Sequence, residues 1–224
     1  MTSTDLNGRR VTERGFTLME LLIVIAIIAL LCGLGISRIM SAKREAIVDQ
    51  TRAFILNLGA AADAYQLDRK NGVYPPTTLE GFPNLGSKQP NRTNLGIEAL
   101  VTCLCAPGTQ NQGAFEQIEA NLINTDEDQS TRPMTVFKNR DLFEVADPWG
   151  NPYAYFNAAD YDDQKLRFYL AAEEGSGSFE DVTVVPWKNP KTGSYYNLNT
   201  FQLFSAGPDG IFNTEDDIGN WTAR

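Results

Sequence analysis

The sequence predicts an α+β protein in which a long N-terminal helix packs against a small antiparallel β-sheet with long loops. Two patterns lead to this prediction. Residues 18–70 combine a continuous apolar run with later apolar positions at helical spacing, and the rest of the chain alternates strand-like segments with turns. With 224 residues, 42% of them hydrophobic, the chain has ordinary globular composition, and one domain is expected.

The first half of the predicted helix is apolar enough to cross a membrane. Residues 21–31 are apolar without interruption, and Glu20 is the only charged residue within positions 16–36. A helix of that length is roughly 31 Å long, which matches the hydrocarbon thickness of a bilayer. We therefore predict that residues 16–38 form a transmembrane helix that contacts membrane lipid before assembly. The alternative is a plain signal anchor.

The second half of the helix is predicted to be amphipathic. Apolar residues recur at helical spacing through residues 39–72, and charged residues occupy the other faces. Asn71-Gly72, followed by prolines at 75 and 76, predicts the end of the helix. Packing on the protein's own sheet accounts for this apolar face, whereas the first half has no partner within one subunit outside the lipid.

Glu20 is the most informative residue of the apolar segment, because a carboxylate near the start of a membrane span costs roughly 2–3 kcal/mol without a partner. The surrounding residues 14–24, RGFTLMELLIV, closely resemble the class III signal of type IV pilins and pseudopilins. This resemblance implies that residues 1–15 are a leader, which a prepilin peptidase removes after Gly15, and that Phe16 is then methylated. It also implies that Glu20 neutralises the amino terminus of a neighbouring subunit in a filament.

Residues 73–224 are predicted to form the globular body. Residues 97–104 are a helix candidate, residues 165–170 and 200–205 alternate at strand spacing, and residues 182–185 are a weaker strand candidate. The acidic run at residues 126–128 is interpreted as a solvated loop, with binding of an ion as the alternative.

Four motifs in the body resemble, in chain order, the major pseudopilin of type II secretion systems. They are Tyr74-Pro75, GIEALV at residues 96–101, DPWGNPY at residues 147–153, and the C-terminal residues 204–221. The resemblance fails near residues 81–94 and 105–143, which are therefore interpreted as insertions.

The C-terminal segment 206–217 is a candidate calcium site. Three aspartates and a glutamate lie there among glycines and a proline, and calcium takes six to eight oxygen ligands from carboxylates and carbonyls. The spacing does not fit an EF-hand, and an acidic surface loop is the alternative. The resemblance to pseudopilins implies that the ligands are the carboxylates of Asp209, Asp216 and Asp217, with the carbonyls of Ala206 and Ile211.

Composition argues against several other functions. The chain contains no histidine, which removes the commonest general base and metal ligand, so an enzyme is not expected. A net charge of -9 argues against nucleic acid as a partner. Two cysteines of the body, Cys103 and Cys105, form either a tight disulfide or two free thiols.

The resemblance predicts a structural subunit of a type II secretion pseudopilus, which helps to export folded proteins. It implies a single pass through the bacterial inner membrane with the body in the periplasm. The implied partners are further copies of the chain in a filament, minor pseudopilins, the prepilin peptidase and the inner-membrane assembly platform. One alternative is a type IV pilin-like subunit for adhesion, motility or DNA uptake. A more remote one is a membrane-anchored, calcium-dependent enzyme or binding module.

Overall fold

The computed structural model describes residues 15–68, 72–82, 85, 91–108, 112–173 and 177–221, without the side chains of residues 30–39 and 112–115. The chain divides into two compact units, residues 1–46 and 47–224. The helices are α1 (Leu18–Asp68), α2 (Leu95–Leu104) and α3 (Gln112–Glu119). The strands are β1 (Leu122–Ile123), β2 (Glu144–Val145), β3 (Ala154–Asn157), β4 (Phe168–Ala172), β5 (Phe179–Thr183), β6 (Phe201–Ser205) and β7 (Ile218–Gly219).

Helix α1 agrees with the predicted helix over residues 18–70, and residues 69–71 lie outside the described part of the chain. Residues 1–14 of the predicted leader also lie outside it. Among the described residues, no helix combines the length and the apolar character that a membrane span requires. The transmembrane helix over residues 16–38 therefore stays a prediction.

In the second unit, the C-terminal part of α1 contributes to the main hydrophobic core. Ile55, Leu58 and Ala62 are buried together with aromatic side chains of β3 and β6. The ring of Phe54 stacks on Tyr153 with 5.4 Å between centroids. The apolar face predicted for this half of the helix is thus used for packing, and the predicted α+β fold is confirmed.

The strands form three small antiparallel sheets, with the orders β1-β2, β3-β6-β7 and β4-β5. Strand β6 agrees with the candidate at residues 200–205, whereas β4 begins later than predicted, at Phe168. The reason is local, because Asp163 caps a short 3₁₀ turn over Gln164–Leu166 by accepting a hydrogen bond from the amide of Lys165 at 2.9 Å. Strand β5 ends at Thr183 and so only overlaps the candidate at residues 182–185.

Helix α2 is buried along its whole length and agrees with the candidate at residues 97–104. It approaches β3 closely at Gly96, where a Cβ atom would lie 2.0 Å from the carbonyl oxygen of Tyr155 and 2.7 Å from the hydroxyl of Tyr169. Only glycine fits this crossing. This close approach fixes the position of the first turn of α2, which carries Glu98.

Cys103 and Cys105, which flank the end of α2, are both buried, and neither forms a disulfide. Burial raises the pKa of the Cys105 thiol to about 12. Since the thiolate is the reactive species, Cys105 is chemically inert at neutral pH. Of the two sequence-based alternatives, the structure favours the free thiols.

Candidate functional site

The predicted processing site lies at the start of the described chain. Gly15 and Phe16 precede α1, and the Phe16 side chain is 80% exposed. Thr17 caps the helix: its amide and its hydroxyl each donate to a carboxylate oxygen of Glu20 at 2.9 Å, and its hydroxyl accepts from the Glu20 amide at 3.2 Å. This reciprocal arrangement is a capping box. Sequence reasoning missed it, although the Thr-x-x-Glu spacing was visible.

The first helical turns expose a continuous apolar surface. Leu18, Met19 and Leu21 are each more than half exposed, and the pattern continues to Ile28. Monomeric soluble proteins rarely expose patches of this extent, so the surface indicates contact with lipid or with other subunits.

The C-terminal loop, residues 206–217, is held by its own hydrogen bonds. Asp209 uses both carboxylate oxygens: one accepts from the amide of Ile211 at 2.9 Å, and the other accepts from the hydroxyl of Thr214 at 2.8 Å. The loop is fastened to the body through Asn213, whose side chain pairs with both backbone groups of Val185. Of the predicted ligands, Asp209, Ile211 and Asp216 are exposed and Ala206 is buried.

Asp217 is the most enclosed carboxylate of the C-terminal loop. One of its oxygens accepts from the indole of Trp187 at 2.7 Å and from the amide of Asn213 at 2.9 Å. The other oxygen is buried without a hydrogen-bond partner. Burial raises the pKa of Asp217 to about 6, against the opposing effect of these hydrogen bonds. The free oxygen is suited to a cation.

Gly207 closes the C-terminal loop. Its φ is 74°, and a Cβ atom there would lie 2.1 Å from the carbonyl oxygen of Asp216. The two ends of the loop therefore meet backbone to backbone. However, among the described residues the carboxylates of Asp209, Asp216 and Asp217 do not form a group of oxygens close enough to hold one metal ion. The predicted calcium ligands remain a prediction.

The group that the structure assembles lies inside the body. Carboxylate oxygens of Glu98, Asp126 and Glu144 lie within 4.8 Å of one another. We call these three residues, together with the neighbouring Asp128, the inner carboxylate cluster. The interpretation of residues 126–128 as a solvated loop is wrong for Asp126 and Asp128, which are partly buried, because the run folds back against α2 and β2. Glu127 does face solvent.

Three segments distant in sequence build the inner carboxylate cluster. Glu98 lies on α2, Glu144 begins β2, and Asp126 follows β1, which pairs with β2. Asn94, the residue before α2, joins them: its amide donates to Glu144 at 2.7 Å and to the hydroxyl of Thr125 at 2.8 Å. That hydroxyl in turn donates to Glu144 at 2.8 Å, so the Glu144 side chain has a fixed orientation.

The electrostatic situation of the inner carboxylate cluster is unfavourable for charge. Burial raises the pKa of Glu144 to about 7 and that of Asp128 to about 8. The pKa of Glu98, which is fully buried, is raised well above its ordinary value, first by burial and then by the charge of Asp128. These acids repel one another unless protons or a cation neutralise them.

One sequence signal could have found part of this cluster. Glu98 is the only charged residue of α2, whose sequence is LGIEALVTCL. A lone acid in an apolar helix either reaches solvent or needs a partner. Nothing in the sequence pairs it with Asp126 or Glu144, because these residues are brought close only by folding.

Comparison with known proteins gives similarities over the N-terminal segment and over the body. The family described as the prokaryotic N-terminal methylation motif matches residues 10–36. The type II secretion system core protein G of Escherichia coli (strain K12) is 27% identical over 212 residues, which cover 93% of this chain and 91% of that protein. The protein of the same name from Pseudomonas aeruginosa is 28% identical over 181 residues, which cover 81% of this chain and 99% of that protein.

A solved structure is also similar. The major pseudopilin from the type 2 secretion system of enterohaemorrhagic Escherichia coli matches with a TM-score of 0.34 and 22% identity, over 81% of this chain and 88% of that one.

Proposed function

We propose that the chain is a structural subunit of a type II secretion pseudopilus. Its predicted resemblance to the pilin and pseudopilin superfamily, from which this proposal starts, is confirmed. One observation carries the proposal. The similarity to type II secretion core protein G extends over 93% of the chain, so it includes the body and not only the methylation motif. The role is structural, and the subunit acts by assembling with other secretion components.

Deletion of the gene, followed by complementation, tests this function. We expect that folded secreted proteins accumulate in the periplasm of the deletion strain and that the wild-type chain restores their export. Unchanged secretion combined with loss of surface pili would overturn the proposal in favour of a type IV pilin.

The proposal includes maturation at the inner membrane. Cleavage after Gly15 and methylation of Phe16 would leave a chain whose apolar helix holds it in the membrane, with the body in the periplasm. Mass spectrometry of the membrane form is expected to find N-methylated Phe16 as the first residue, and Gly15→Ala is expected to accumulate the precursor. A mature chain that begins at Met1 would contradict this maturation.

Glu20 would then carry the charge that meets the amino terminus of a neighbouring subunit. The capping box complicates the usual test, because Glu20→Ala removes the helix cap together with the charge. Glu20→Gln separates the two effects, since glutamine also closes a capping box. We expect Glu20→Gln to insert into the membrane but to fail in filament assembly, whereas Thr17→Ala, which loses the cap and keeps the charge, retains assembly. Normal filaments from Glu20→Gln would refute the charge role.

The C-terminal loop would bind calcium, an assignment supported by the unpaired buried oxygen of Asp217 and by an oxygen-only set of ligands. The carboxylates of Asp209 and Asp216 and the carbonyls of Ala206 and Ile211 complete the proposed set. A ligand that binds only the folded form at a hundredfold excess over Kd stabilises it by about 2.7 kcal/mol. The melting temperature of the full chain in detergent should rise with calcium, and Asp217→Asn should reduce that rise.

A further inference from the structure

We propose that the inner carboxylate cluster is a second calcium site, separate from the C-terminal loop. It is built from α2, the segment after β1, and β2. Asp126 and Asp128 fall within residues 105–143, which are interpreted as an insertion, whereas Glu98 belongs to the GIEALV motif at residues 96–101.

The spacing of the carboxylates suits one ion of calcium size. Oxygens of Glu98, Asp126 and Glu144 lie within 4.8 Å of one another. Calcium binds oxygen at 2.3–2.6 Å, so two ligands on opposite sides of one ion are roughly 4.6–5.2 Å apart. All three side chains can therefore contact a single ion with only small movements.

The state of the oxygens is the second and independent observation. Glu98 is fully buried, yet neither of its carboxylate oxygens has a hydrogen-bond partner. The same is true of one oxygen of Asp126 and of both oxygens of Asp128. The side-chain oxygen of Asn124, which is close to Asp126 in sequence, is also buried without a hydrogen-bond partner. Buried acceptors nearly always have a partner, so six unpaired oxygens from one short stretch and one helix are suited to binding a cation.

The oxygens that do have partners show that the cluster is organised. Asn91 donates to the other oxygen of Asp126 at 2.8 Å, while Asn94 and Thr125 donate to Glu144. These donors are neutral and fix the orientation of two of the three carboxylates, which is how supporting residues act in metal sites. The carboxylates of Asp126 and Glu144 are thus held in place beside Glu98 by neutral donors.

No cationic side chain of the described residues forms a salt bridge with an acid of the cluster. Within the described ranges, the structure has one salt bridge, between Arg52 and Asp49 on α1, and none to an acid of the cluster. Shared protons could neutralise the acids at low pH, but at neutral pH a divalent cation removes the repulsion more completely.

The donor set selects calcium among the common divalent ions. Every candidate ligand is an oxygen of a carboxylate or an amide, which suits calcium and magnesium and excludes thiolate or imidazole chemistry. Three carboxylates, of which Glu98 has both oxygens free for bidentate binding, favour the larger ion with more ligands, because magnesium requires six ligands at about 2.1 Å and retains water.

Calcium titration of the full chain in detergent by isothermal calorimetry tests the proposal. The wild-type chain is expected to bind two ions, and Glu98→Gln and Asp126→Asn are each expected to bind one. Two variants are used because a buried glutamine can impair folding, which circular dichroism would detect. Glu119→Gln, an exposed glutamate on α3, is the matched control and should bind two ions. Magnesium at the same concentration is expected to bind at least tenfold more weakly.

The outcomes separate this proposal from that for the C-terminal loop. If Asp217→Asn loses one ion and the cluster variants lose the other, both sites exist. If only the cluster variants lose binding, the cluster is a site and the loop is not. Unchanged stoichiometry in folded Glu98→Gln and Asp126→Asn would overturn the inference, and so would equal affinity for magnesium.

Discussion

The C-terminal loop and the inner carboxylate cluster are both acidic, but they treat their carboxylates in opposite ways. In the loop, Asp209 uses both oxygens in hydrogen bonds, and Asp217 leaves only one oxygen unpaired. In the cluster, both oxygens of Glu98 and both of Asp128 are buried without partners. The loop thus leaves one carboxylate oxygen buried without a partner, whereas the cluster leaves five.

This difference shows that the number of acidic residues in a stretch of sequence is a poor predictor of a cation site. Neighbouring acids such as Asp216 and Asp217 can face solvent or find backbone donors within their own loop. Acids that folding buries together have neither option, so they need protons or a cation. The four predictions below test this contrast, beginning with the largest expected effect.

Gly96→Ala should disrupt the inner carboxylate cluster and leave the C-terminal loop intact. The new Cβ would lie 2.0 Å from a backbone carbonyl oxygen, so α2 must shift and Glu98 must move with it. We expect a loss of roughly 3 kcal/mol or more in the free energy of unfolding, together with loss of one bound calcium.

Gly59→Ala is the matched control for that substitution. Gly59 is also a helical glycine, but its Cβ would meet Phe201 at an ordinary 3.6 Å. Since alanine favours helix, this variant should be neutral or more stable by up to about 1 kcal/mol. If Gly96→Ala behaves like Gly59→Ala in thermal melts, the close crossing of α2 and β3 does not fix Glu98.

Gly207→Ala should do the reverse and damage only the C-terminal loop. It combines a φ of 74° with a clash against the carbonyl of Asp216. We expect a loss of roughly 2–3 kcal/mol and weaker calcium binding at the loop. Gly210→Ala has a similar φ of 69° but no such clash, so it isolates the backbone contact. Equal losses from the two substitutions in denaturant unfolding would show that the contact is unimportant.

Asp147 sharpens the contrast, because it is a buried carboxylate with a full set of donors. It accepts hydrogen bonds from the amides of Trp149 and Asn151 and from the hydroxyl of Ser205, and through them it holds the turn at residues 147–152 against β6. Burial nevertheless raises the pKa of Asp147 to about 6.

The raised pKa gives a prediction with a definite sign. The folded form binds this proton more tightly than the unfolded form does, so the resulting stability is present below about pH 4 and is lost as the pH rises through about 6. Asp147→Asn does not titrate. The stability of this variant relative to the wild type should therefore increase by about 2 kcal/mol between pH 4 and pH 7. Denaturant unfolding in the presence of a chelator measures this difference. Asp181→Asn, at an exposed position, is the control, and parallel curves for both variants would contradict the prediction.

Glu98→Gln should have the smallest effect on stability of the four substitutions, and the sign of this effect should differ between chelator and calcium. At pH 8 with a chelator, the variant lacks a buried carboxyl group that the neighbouring acids repel, so it should melt a few degrees higher than the wild type, about 1 kcal/mol. With calcium, the wild type should be the more stable protein. A variant that is less stable in both conditions would show that Glu98 has a packing role only.

Much of the molecule was determined locally and could be predicted from the sequence. Helix α1, helix α2 and strand β6 follow from periodicity, and the predicted processing signal lies in consecutive residues around Gly15 and Glu20. The C-terminal loop was recognisable for the same reason, since all its acids fall within residues 209–217. Patterns that depend on neighbouring residues remain visible in a linear chain.

The inner carboxylate cluster was decided only by tertiary structure. Glu98, Asp126 and Glu144 come from three separate segments, and the sequence around the first two indicates only an apolar helix and an acidic loop. Their meeting depends on the close approach at Gly96, on the pairing of β1 with β2 and on the hydrogen bonds of Asn94. The energy of a buried charge depends on which groups surround it in space, and the sequence order of those groups does not contain that information.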